Sequence, residues 1–98
     1  MKIPKLKTNP AAGLIADALE HAQIKAAEAA RDMGIPRSRL SDIFAGRKGV
    51  SADTALRLQS YLGLSAVLVM RLQSDFDLSR ASEETGAQIR KSVQPHLV

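Results

Sequence analysis

Residues 26–46 constrain this chain more than any other stretch. Ala26, Ala27, Ala29 and Ala30 favour helix strongly. Gly34 ends that helix, because a residue without a side chain takes the positive φ of a carboxyl cap. Ile35 and Pro36 follow at once, and Pro36 opens a second short helix over residues 36–45. Leu40, Ile43 and Phe44 lie on one face of it, and Gly46 stops it. Ala30, four residues before the turn glycine, lets the two helices cross closely. A small residue, a turn glycine and inward aliphatics at these offsets make the pattern of a helix-turn-helix.

Anchoring the second helix on Leu40, Ile43 and Phe44 turns its other side outward. At about 100° per residue, Ser38, Ser41, Asp42 and Ala45 point away from the anchor, with Arg37 and Arg39 at the flanks. These side chains are small or donate hydrogen bonds, which suits a DNA major groove. Arg37 is the candidate for guanine, since its guanidinium can bond two acceptors on one base edge. The loop Gly46-Arg47-Lys48-Gly49 sets two further positive charges past the helix end, where they would meet phosphates. An ordinary helical hairpin with a solvated basic face is the competing reading.

The flanking sequence predicts three more helices and an all-α fold. Residues 1–9 read as a mobile basic arm. Asn9 caps a first helix over about residues 10–22, with Leu14, Ile15, Ala18 and Leu19 on one side. Ser51 caps a fourth helix that runs to about Leu62, with Ala55, Leu58 and Leu62 inward and Gly63 as its stop. Ser65 caps a fifth helix reaching about Ser74–Phe76. Its stretch Ala66-Val67-Leu68-Val69-Met70 is apolar all round, which predicts burial on more than one side and a homodimer formed through the carboxyl-terminal half. Residues 10–76 would then be the helix-turn-helix domain and 77–98 a short extension. Within it, residues 87–93 read equally as a strand or a fraying helix.

Composition narrows the function. The chain of 98 residues carries a formal net charge of +4. Residues 1–50 hold nine Lys and Arg against five acids, and residues 51–98 hold five against five, so the excess charge sits with the helix-turn-helix. Cysteine is absent, which excludes disulfides and thiolate metal sites and fits a cytoplasmic protein. His21 and His96 offer no metal pair, and no cofactor is expected. No run approaches the roughly 20 apolar residues of a membrane span. Catalysis lacks its parts: Asp17 and Glu20 are adjacent-turn acids on a surface helix, and Ser38 and Ser41 have no histidine base nearby.

The runs Gly34-Ile35-Pro36-Arg37-Ser38-Arg39-Leu40-Ser41-Asp42-Ile43 and Gly46-Arg47-Lys48-Gly49-Val50-Ser51-Ala52-Asp53-Thr54-Ala55-Leu56-Arg57-Leu58 carry a resemblance that extends over about residues 10–94. With them the chain resembles the HigA-type antitoxins of bacterial toxin–antitoxin modules, in the Xre, lambda-repressor-like superfamily. The resemblance implies a five-helix domain, a homodimer, autorepression at a palindromic operator on the nucleoid, and neutralisation of a HigB-like RNase toxin. A free-standing Xre regulator without a toxin is the alternative. Where the family often begins its second helix with a polar phosphate contact, this chain has Ala26, and Lys25 just before it is the candidate replacement. The candidate DNA-contacting set is therefore Lys25, Arg37, Ser38, Arg39, Ser41, Asp42, Arg47 and Lys48.

Overall fold

In the computed structural model, which describes residues 2–97, the chain folds into five α-helices: α1 Pro10–His21, α2 Ala26–Met33, α3 Arg37–Phe44, α4 Ala52–Leu62 and α5 Ala66–Ser92. Their ends follow local chemistry. The Asn9 side chain accepts from the Ala11 N–H, Ser51 from Thr54 and Ser65 from Leu68, each satisfying an orphan donor of a first turn. Gly34 and Gly63 close α2 and α4 in the left-handed conformation, at φ 70° and 71°. Pro36 stands one residue earlier than the sequence suggests: it caps α3 from an extended conformation.

The core gathers one stripe from every helix. Ile15, Leu40, Ile43, Leu58 and Val69 are fully buried, with Ala11, Ala29, Ala30 and Ala55 filling the close crossings. Leu14, Ala18 and Leu62 are only half-buried, whereas Ala11 is fully enclosed. Phe44 corrects the expected anchor of α3. It is 38% exposed, because Leu40 and Ile43 already fill the space beneath the helix.

The fifth helix departs furthest from expectation. It does not end near Ser74–Phe76 but runs to Ser92, so residues 87–92 are helical and the strand alternative is overturned. The Ile89, Lys91, Val93 alternation has no neighbouring strand to pair with, whereas the helix satisfies its own backbone. Gly86 interrupts nothing, since one glycine weakens a helix only modestly. At 27 residues α5 is about 40 Å long. The radius of gyration is 16.2 Å, against about 13 Å for a compact domain of this length, so the far half of α5 projects from the body. The apolar start of α5 is not wholly buried either: Val69 is enclosed, but Val67 is 77% and Leu68 42% exposed. Among the described residues no helix is long and apolar enough to cross a membrane.

Residues 2–9 are irregular, with a bend at Lys7 and Thr8, and are held at their carboxyl end. The Leu6 N–H donates to Ser79 Oγ at 2.8 Å and Asn9 Nδ2 to Gln73 Oε1 at 2.7 Å, which corrects the picture of a free arm.

Candidate nucleic-acid interface

The crossing of α2 and α3 is built around Ala30 and Gly34. Ala30 is buried, and its carbonyl accepts the Ile35 N–H at 3.0 Å across the turn. Arg57 of α4 seals the same end of α2, donating from Nη1 to the Met33 carbonyl at 2.8 Å and from Nε to Asp53 at 2.9 Å. Sequence reasoning missed this role. The only available signal was Asp53 four residues before Arg57, an ordinary helical pair.

With Leu40 and Ile43 turned inward, α3 presents Arg37, Ser38 and Ser41 to solvent, while Arg39 and Asp42 lie half-buried at its edges. Lys25 is exposed at the amino end of α2. Side chains cap α1, α4 and α5, but among the described residues none caps α2 or α3. The two helices of the helix-turn-helix thus keep their amino-terminal N–H groups and positive dipole ends available. Those are the groups that bind phosphate at a helix start.

Arg39 at the edge of α3 and Arg47 in the loop have specific partners. Arg39 Nη1 lies 3.5 Å from Asp53 Oδ2 and does not pair with Asp42. Asp42 instead holds the loop. Its carboxylate accepts from Arg47 Nε at 2.8 Å, and its carbonyl accepts the N–H groups of Arg47 and Lys48 at 2.9 and 3.2 Å. The acid on the outer side of α3 is thereby accounted for as the group that orients an arginine. Gly46 makes the reversal possible at φ 77°.

Beneath the loop lies a residue whose role the helical pattern does not reveal. Gln73 is 4% exposed, and its Oε1 accepts both the Val50 N–H and Asn9 Nδ2 at 2.7 Å while its Nε2 donates to Asp77 at 2.9 Å. Gly49 packs so closely on this amide that a Cβ would stand 2.7 Å from Nε2. Within an amphipathic helix a lone Gln reads as surface, so helical period does not reveal this buried role.

Elsewhere Tyr61 Oη donates to Asp32 at 2.7 Å. That hydrogen bond, then desolvation and the Asp32 charge, push its phenol up to about 12. Among the described residues no group of three or more His, Asp and Glu is placed to hold a metal ion.

The helix-turn-helix family profile matches residues 15–69. The virulence-associated protein A' of Dichelobacter nodosus is 30% identical over 93 residues, which are 93% of this chain and 81% of that protein. Among solved structures, the Pseudomonas aeruginosa antitoxin HigA with the higBA promoter superposes at a TM-score of 0.84 and 33% identity, covering 94% of this chain and all of that one. An addiction module antidote protein of the HigA family from Coxiella burnetii superposes at 0.78 and 28% identity, covering 98% of this chain and all of that one.

Proposed function

Because this chain belongs to the helix-turn-helix family and shares the whole fold of HigA-type antitoxins, we propose that it is an antitoxin that represses its own operon. It binds a palindromic operator as a homodimer and neutralises a HigB-like RNase toxin, acting in the bacterial cytoplasm at the nucleoid, by binding rather than by catalysis. The observation that carries the reading is the full-length superposition on HigA with the higBA promoter. The uncapped amino ends of α2 and α3 and the outward face of α3 support it from this chain's own chemistry.

Arg37, Ser38 and Ser41 take the base edges in the major groove, with Arg37 the guanine reader. Lys25, Arg47 and Lys48 take phosphates, and Asp42 aims Arg47. Arg39, already held toward Asp53, flanks the groove. The dimer forms along α5. Val67, Leu78 and Ile89 are exposed and recur at intervals of about three turns on one side of that helix. A second copy covering this stripe removes from water an apolar face that a monomer leaves open.

The test is co-expression with the product of the neighbouring gene. The neighbour alone should arrest growth, this chain should relieve the arrest, and the two should co-purify. A harmless neighbour, with operator binding intact, would leave a free-standing regulator.

A further inference from the structure

The amino-terminal segment and the α3–α4 loop are fastened to one face of α5. Ser79, 1% exposed, accepts the Leu6 N–H at 2.8 Å. Gln73 accepts from Asn9 on one side and from Val50 on the other. Lys7 and Thr8 share a cleft with Phe44, Ala45 and Gly46, the carboxyl end of α3. The segment carries Lys2, Lys5 and Lys7, and the first acid in the chain is Asp17.

Charge pairing separates these cations from their neighbours. Arg47 is held by Asp42, and Arg80 by Glu84 at 3.4 Å with its guanidinium over the Phe76 ring. Among the described residues Lys5, Lys7 and Lys48 take part in no ion pair. Unpaired ammonium groups gathered on one side of a protein repel one another, and a polyanion bound there relieves the repulsion. The eight residues of α3 span about 12 Å, close to the width of the major groove. With the amino end of α3 in the groove, its carboxyl end, the loop and Lys7 together reach a phosphate wall.

We propose that Lys5 and Lys7 bind the DNA phosphate backbone beside Arg47 and Lys48, as a second clamp that Ser79 and Gln73 hold in register with the loop. The proposal rests on the DNA-binding reading above. Chain advances at most about 3.3–3.6 Å per residue, so the Cα atoms of Lys5 and Lys7 stand no more than about 7 Å apart, and their long side chains can reach different phosphates. A clamp of this kind adds affinity without base preference.

Fluorescence anisotropy tests it with the full chain and the Lys5→Gln/Lys7→Gln variant. The probes are a duplex of the DNA immediately upstream of the chain's own gene and a scrambled duplex of the same composition. Two lost phosphate contacts should make the slope of log affinity against log salt shallower by about two. Between about 50 and 200 mM salt the wild type should then lose about tenfold more affinity than the variant, equally on both duplexes. Ser79→Ala, with every charge intact, should weaken binding to both duplexes while the helical circular dichroism stays unchanged. Wild-type binding with an unchanged slope in the lysine variant overturns the clamp and leaves the DNA reading standing. A wild type that binds neither duplex removes both. A lysine variant that keeps its slope but no longer holds the toxin assigns the segment to a protein partner, which also overturns the proposal.

Discussion

Replacing Gln73 with leucine tests whether one buried amide holds the α3–α4 loop in place. The substitution keeps the side chain's bulk but removes the acceptor shared by the Val50 N–H and Asn9 Nδ2. Val50 is buried, so its N–H has no water to turn to; Asn9 is half-buried and recovers part of its loss. A buried donor left without a partner costs about 1–3 kcal/mol, so the two together should cost about 2–4 kcal/mol. In a domain of this size that lowers Tm by roughly 10–30 °C. Thermal unfolding at one fixed protein concentration measures it, because a dimer's Tm moves with concentration. Gln73→Glu keeps the acceptor but sets a carboxylate where Nε2 now stands 2.9 Å from Asp77, and should lose less. Adding Asp77→Asn to it restores an amide facing a carboxylate, and should recover most of that loss. A Gln73→Leu protein within about 0.5 kcal/mol of wild type would refute the reasoning.

Gly34→Ala should cost about 1 kcal/mol in chemical denaturation. The new Cβ would meet only Arg57 at an ordinary 3.5 Å, so the loss lies in the backbone at φ 70°. Arg57→Ala opens the carboxyl end of α2 and should cost about 1 kcal/mol, with hydrogen exchange accelerated around Gly34 and Ile35. Tyr61, the sole tyrosine, should ionise at about 12 in ultraviolet titration, and near its ordinary 10 in Asp32→Asn. Since folding raises this pKa, the associated stability is complete below pH 10 and disappears as pH rises through about 12.

Much of this architecture is legible in the sequence because its punctuation is local. Asn9, Ser51 and Ser65 cap, and Gly34 and Gly63 stop, through contacts only a few residues long. The outward placement of Arg37, Ser38 and Ser41 follows from helical period once Leu40 and Ile43 are inward. What escaped is what depends on distant partners. Phe44 has the period of an anchor, yet the space it would fill is already taken. The arm reads as loose because its partners, Gln73 and Ser79, lie more than sixty residues away in a polar stretch of α5. The length of α5 escaped because Gly86 and a short alternation outweighed a helix whose last turns are exposed to solvent.

The measurement that bears most directly on the proposal that α3 reads DNA compares Arg37→Ala and Arg47→Ala on operator and scrambled duplexes across a salt series. Arg37→Ala should lose about 1–3 kcal/mol on the operator and flatten the preference between duplexes. Arg47→Ala should weaken both duplexes alike and reduce the salt slope by about one. If Arg37→Ala instead lost affinity equally on both duplexes while Arg47→Ala altered base preference, the assigned roles would be contradicted. If neither variant changed binding, α3 would not be the surface that reads DNA.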